Sequence, residues 1–140
     1  MTNADDIVLI VPAGRGAAKQ AQLFDRYHCQ NRGSFQPFQY IAFYERGNIE
    51  IYARVADPPE HDVVMSARSD LRALTKHTQD HNGNPNQAHS LYRLLDVRRL
   101  DPAISNDSRT GDGREVAFVQ NQRYTTLGRV LSARTTSELV

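Results

Sequence analysis

Tyrosine and arginine side chains are concentrated in the segments of this sequence that alternate like β-strands. Aromatic rings stack on nucleic-acid bases and guanidinium groups pair with phosphates, so this combination on a sheet suits nucleic-acid binding. A flipped base needs such a pocket, with stacking on its faces and hydrogen bonds along its edge. The alternative is that the tyrosines border the core and the arginines are solvated. The candidate nucleic-acid-binding residues are Tyr40, Tyr44, Tyr52, Arg54, Arg98, Arg99, Arg123 and Tyr124, and Arg93 shares their pattern.

Histidine, cysteine and glutamate residues offer other chemistry. His77 and His81 are four residues apart, which places both on one helix face, but neither an HExxH nor a CxxC motif accompanies them. We therefore expect a solvated helix end, with no metal and no cofactor. Cys29 with a distant histidine such as His89 is the alternative of a nucleophilic pair, although a buried thiol is the commoner fate. Glu50 is followed by no lysine in reach, which argues against a restriction-type nuclease.

Two glycines, Gly14 and Gly16, lie between a strand-like run and a helix-like segment. Free backbone N–H groups at such a junction can cradle a phosphate. The segment GRGAAK lacks the Gly-Lys-Ser/Thr of a P-loop and does not match GxGxxG. We therefore expect a flexible connection into a helix here.

Composition indicates an ordinary soluble protein. The 140 residues suit one domain, residues 1–140, with 39% hydrophobic and 24% charged residues. No apolar run is long enough for a transmembrane helix, and the acidic start is unlike a secretory signal. A single cysteine fits a reducing compartment, so we expect a cytoplasmic protein without a membrane partner.

Charge gives a weaker indication of the partner. The net charge is only +1, but all of the 17 basic residues except Lys19 and Lys76 are arginine. Arginine has the planar fork that pairs with phosphates and base edges. A GC-rich genome would enrich arginine codons equally well.

The best-defined element is a hairpin over residues 38–55. Aromatic and β-branched residues alternate on both sides of Arg46-Gly47-Asn48, and Gly47 can take the positive φ of a tight turn, which Asn48 also tolerates. We expect half-buried strands whose interior positions are Ile41, Phe43, Ile49, Ile51 and Val55.

The remaining elements follow from periodicity and from proline and glycine positions. The order β-α-β-β-α-β-β-α predicts an α+β fold, with a mainly antiparallel curved sheet or small pseudobarrel and flanking helices. We expect a strand buried on both faces at 7–11, a helix from the glycines to Tyr27 or His28, and a strand break at 56–59. A helix over 63–79 and a strand (or short helix) over 89–100 ended by Pro102 should follow. The last elements are a strand within 115–127 and a closing helix over 126–140.

Three segments resemble the PUA-like superfamily, in particular its EVE and ASCH branches. YIAFYERGNIEIYARVADPPEHD is similar to the central hairpin of those domains, LYRLLDVRRLDPAI to their Val-Arg-rich strand, and AFVQNQRYTTLGRVL to their last strand and helix. The chain departs from the EVE pattern in having no tryptophan. The resemblance implies a pseudobarrel that binds DNA or RNA and holds one base, modified or unpaired, in a pocket.

Three hypotheses result. The first is a non-catalytic nucleic-acid-binding module. The second is a small, metal-independent ribonuclease-type enzyme that uses His, Arg and Tyr in acid–base roles. The third is a subunit whose aromatic strand is a protein–protein interface.

Overall fold

A computed structural model describes residues 3–14, 16–30, 36–119 and 122–140. The predicted α+β class is confirmed: these residues form a six-stranded, mostly antiparallel mixed sheet of order β2-β5-β4-β3-β1-β6, with short helices. Its strands are β1 (Ile7–Pro12), β2 (Arg26–Gln30), β3 (Tyr40–Glu45), β4 (Asn48–Val63), β5 (His89–Ser105) and β6 (Arg123–Thr126). The helices are α1 (Ala17–Phe24), α2 (Arg72–Asp80) and α3 (Leu127–Ser132), with 3-10 turns at Met65–Ala67, Ser69–Leu71 and Thr136–Leu139.

Both faces of the central strands β1 and β3 are covered. These two strands pair in parallel, with Leu9 beside Ile41. On one side, called the α1 face, Leu9, Ile41 and Phe43 pack in a cluster with Ala21 of α1. On the other side, called the α3 face, the buried cluster includes Leu127 of α3. The prediction that the 7–11 segment is a strand buried on both faces is confirmed.

The predicted hairpin is β3 and β4, but its turn lies one residue earlier than expected. Arg46 and Gly47 both have positive φ, 52° and 80°, which is the pattern of a type I′ turn. Asn48 is already the first residue of β4. The expected interior positions Ile41, Phe43, Ile49 and Ile51 are at most 5% exposed, whereas Val55 is only partly buried. Because α3 covers the second face, β3 is buried on both faces and not on one.

Several predicted boundaries were wrong. Helix α1 ends at Phe24 because Asp25 takes a left-handed conformation and its N–H bonds back to Ala21, so Tyr27 and His28 belong to β2. Residues 56–59 do not end β4, since Pro58 and Pro59 lie where the pairing register shifts between Ala56 and Glu60.

Pro102 likewise does not end β5. It lies in the irregular stretch between the pairs Ile51–Arg99 and Ile49–Ile104, where the ladder is already interrupted. The strand is confirmed over 89–100 and continues to Ser105.

The remaining helices and the last strand are shorter than predicted. The 63–79 segment is two 3-10 turns followed by α2, and β6 begins only at Arg123. α3 stops at Ser132 because Ala133 is extended and the chain then pairs at Thr135 with Ser105. No helix in the described ranges is long and apolar enough to cross a membrane.

Candidate nucleic-acid interface

Strand pairing aligns a row of residues across the α3 face of the sheet. Arg123 lies opposite Ile10, Ile10 is beside Ala42, Ala42 is opposite Tyr52, and Tyr52 is opposite Arg98. Side chains of paired residues in adjacent strands point to the same face. The row therefore carries arginines from β6 and β5 on either side of a tyrosine from β4.

A cavity opens next to this row, and we call it the Tyr/Arg cavity. Its volume is about 590 Å³, within the range of small-ligand pockets. The rings of Tyr40 and Tyr52 lie 6.5 Å apart between centroids. The lining residues are Tyr40, Tyr52, Arg54, Asp96 and Arg98 from the sheet, with Leu127 and Leu131 from α3. The structure thus brings together four of the eight predicted residues.

The charged groups of this cavity do not form ion pairs with one another. Arg54 and Arg98 are exposed, and Asp96 lines the cavity with them. The ion pairs within the described ranges involve other residues, and neither guanidinium has a hydrogen-bond acceptor there. Two guanidinium groups and one carboxylate are therefore available to a ligand.

Asp96 was not among the predicted site residues. The pairs Tyr52–Arg98 and Arg54–Leu95 leave one extra residue in β5, which is a β-bulge, and Asp96 there has a φ of 50°. Bulges re-aim side chains and are frequent beside functional sites. If strict alternation is assumed from Leu91 onward, the bulge in β5 is missed. The residue types alone therefore do not predict that Asp96 reaches the cavity.

Tyr44 and Arg123 lie on the α3 face but outside the cavity. Tyr44 is buried, with its ring centroid 6.5 Å from that of Phe118. The Arg123 guanidinium carbon lies 4.2 Å from the Phe118 ring centroid, and its Nη1 donates to the Phe118 carbonyl at 3.2 Å. A guanidinium at this position is held by a cation–π contact. Both residues pack around Phe118, which was not predicted to take part.

Arg99 and Tyr124 point to the opposite, α1 face, which corrects the expectation of one shared surface. Arg99 pairs with Glu50. The Tyr124 hydroxyl accepts a hydrogen bond from the Gln36 backbone N–H at 3.0 Å, and its ring packs against the α1-face cluster. Arg99 directly follows Arg98, and Tyr124 directly follows Arg123. Successive side chains in a strand point to opposite faces, so the two residues of each pair diverge. Arg93, opposite Arg26 in β2, is also outside the cavity.

A second cavity of about 470 Å³ contains four histidines, and we call it the histidine cavity. His28 of β2 and His89 of β5 have ring centroids 4.9 Å apart, and His77 and His81 at the end of α2 are stacked at 4.1 Å. His77 is 9% exposed, so the predicted solvated helix end was wrong. Cys29 lines the same cavity. Sequence spacing could indicate only the pairing of His77 with His81, because His28 and His89 come from separate strands.

Burial disfavours the charged form of two histidines in this cavity. Desolvation, with smaller contributions from the nearby His89 and His77, lowers the pKa of His28 to about 4. Desolvation also lowers the pKa of His77, followed by the effect of His81. Within the described ranges, no three histidine, cysteine or acidic side chains are arranged to hold a metal ion.

Comparisons with protein-family models, with curated proteins and with solved structures return no significant match for this chain.

Proposed function

We propose that this protein is a non-catalytic nucleic-acid reader that holds a single base in the Tyr/Arg cavity. The observation that supports the proposal is the convergence of Tyr40, Tyr52, Arg54 and Arg98 on one cavity. The tyrosines offer apolar ring surface for a base, and the arginines offer paired donors for phosphates or base edges. Asp96 adds an acceptor for the amino group of a base.

The affinity of such a reader must come from this local group of charges. The net charge of the whole chain is only +1, so no global field attracts a polyanion. Two free arginines imply few phosphate contacts, and we expect a shallow dependence of affinity on salt. Stacking contributes about 1–3 kcal/mol per base and depends little on salt.

The test measures fluorescence anisotropy of labelled DNA and RNA, single-stranded and duplex, with unmodified and base-modified probes. Arg54→Ala should weaken binding and reduce the salt slope by about one contact. Tyr52→Leu should weaken binding about tenfold with the slope unchanged, because it removes the ring and keeps apolar volume. Asp96→Asn should change the base preference, since a pure acceptor becomes a mixed donor and acceptor.

Two matched control variants distinguish a loss of ligand contacts from a general loss of stability. Arg72→Ala removes an exposed arginine of α2, and Tyr124→Leu removes a half-buried tyrosine on the α1 face. Both should leave affinity unchanged. The proposal fails if no probe binds below about 100 μM at low salt, which is weaker than ordinary non-specific binding.

The same experiment distinguishes the other two hypotheses. Shortening of an RNA probe during incubation, lost in Tyr52→Leu, would indicate the ribonuclease-type enzyme. The protein–protein subunit would neither bind nor cleave a probe.

We also infer a PUA-like fold and a cytoplasmic location. An antiparallel hairpin next to helices on both faces supports the first. The presence of a single cysteine, which excludes an internal disulfide, supports the second.

A further inference from the structure

The histidine cavity has a lining that is rich in polar groups and carries no carboxylate among its described residues. Its lining includes the four imidazoles and the carboxamides of Gln20, Asn82, Asn84 and Gln87. Carboxamides and neutral imidazoles each offer N–H donors. A cavity with these donors and without acidic side chains is suited to an anion.

Helix α1 begins at the edge of this cavity. Gly14 and Ala17 line it at the junction that follows β1. No side chain caps the helix, and its first turn contains no acidic residue. The backbone N–H groups of a helix start carry a partial positive charge and attract anions. By itself this feature would not identify a site.

Two buried polar side chains point independently to a ligand. Gln20 is 3% exposed, and its Nε2 has no hydrogen-bond partner within the described ranges. His77 is 9% exposed, and neither of its ring nitrogens has a partner there. Both side chains line the histidine cavity. Buried polar groups are almost always bonded, and an unsatisfied one costs stability, so exceptions call for a bound group.

The end of α2 and the start of α1 are in close contact at this cavity. Gly16 has a φ of 77°, and a Cβ there would lie 2.6 Å from Cδ2 of His81. The His81 Nδ1 is 2.9 Å from the His77 carbonyl oxygen. Only a glycine lets the His81 ring lie directly over the helix start. The His81 imidazole is therefore held beside the backbone donors of α1.

We propose that the histidine cavity binds the phosphate group of a small organic phosphate, with Gln20, His77 and the start of α1 as donors. The volume of about 470 Å³ exceeds what a lone phosphate needs, which leaves room for an organic part. This site does not depend on the Tyr/Arg cavity or on the function proposed for it.

The test uses isothermal titration calorimetry with inorganic phosphate and with phenyl phosphate, each against sodium chloride of equal ionic strength. Both phosphates should bind, phenyl phosphate more tightly. Gln20→Met keeps the side-chain length but removes the amide, so phosphate affinity should fall about tenfold or more. Its thermal midpoint should stay equal or rise, because a buried unsatisfied group is replaced by an apolar one.

Gln22→Met is the matched control, because Gln22 is exposed on the same helix and does not line the cavity. It should leave phosphate affinity unchanged. His77→Phe, which keeps ring volume, should also lose phosphate binding. The proposal is overturned if neither phosphate binds the wild type, if Gln20→Met binds as wild type does, or if its thermal midpoint falls while binding is kept.

Discussion

The buried histidines are the residues whose behaviour depends most on the tertiary structure. Desolvation lowers the pKa of His28 to about 4, from an ordinary value of 6.5. Below pH 6.5 the unfolded chain takes up a proton at this residue, whereas the folded chain stays neutral until about pH 4. The contribution of His28 to stability is therefore complete above pH 6.5 and is lost as the pH falls through this window.

We predict that the free energy of unfolding falls between pH 7.5 and 5 by about 2 kcal/mol more in wild type than in His28→Gln, since one pKa unit is worth about 1.4 kcal/mol. His77, whose pKa is also lowered, adds to the trend in both proteins. Urea melts in MES and HEPES buffers, without phosphate, are the measurement. Parallel pH profiles for the two proteins would contradict the prediction.

In the turn of the β3–β4 hairpin, one residue type is poorly suited to its backbone conformation. A type I′ turn needs positive φ at both central positions and favours Asn-Gly. Gly47 meets this need, but Arg46 adopts a φ of 52° with a side chain that disfavours it. A more suitable residue at position 46 would relieve backbone strain without touching the core.

Arg46→Asn should therefore stabilise the protein by about 1 kcal/mol, because asparagine visits the left-handed region at little cost. Arg46→Val should destabilise it, since a β-branched residue tolerates positive φ least. Arg134→Asn, an exposed position without positive φ, is the control and should change stability by less than about 0.5 kcal/mol. Thermal melts of the three variants decide; a loss of stability in Arg46→Asn would refute the turn assignment.

At the scale of the whole molecule, one buried asparagine joins the end of β5 to the C-terminal segment. Asn106 Nδ2 donates to the Val116 carbonyl at 2.7 Å, and its Oδ1 accepts from the Ser108 N–H and the Thr136 hydroxyl, each at 3.1 Å. Its own N–H donates to the Gly47 carbonyl. These bonds connect the hairpin turn, the loop after β5 and the last 3-10 turn.

Asn106→Ala should cost about 2–4 kcal/mol, because it removes three hydrogen bonds to buried or partly buried partners. Asn86→Ala, in an exposed loop, should cost less than about 0.5 kcal/mol. Urea denaturation gives both values from the midpoint at constant slope. Equal stability of Asn106→Ala and wild type would mean that the C-terminal segment is not anchored through this residue.

Elements whose pattern is local could be predicted from the residues alone. The apolar run of β1, the alternation of β3 and β4 and the strand character of 89–100 were all predictable, because side-chain period and turn residues depend only on neighbours along the chain. Alternation also contained the information that Arg98 and Arg99 diverge. Residue type and strand position were therefore sufficient to select Tyr40, Tyr52 and Arg54, which do line one cavity.

Which elements meet in space is visible only in the folded chain. The parallel pairing of β1 with β3 and the bulge that positions Asp96 depend on register between strands that are distant in sequence. The histidine cavity draws His28, His77 and His89 from β2, α2 and β5. Such convergence depends on strand order and helix packing, which no single segment of the sequence can predict. Burial, which lowers the pKa of His28 and leaves the Gln20 Nε2 without a partner in the described ranges, follows from that packing alone.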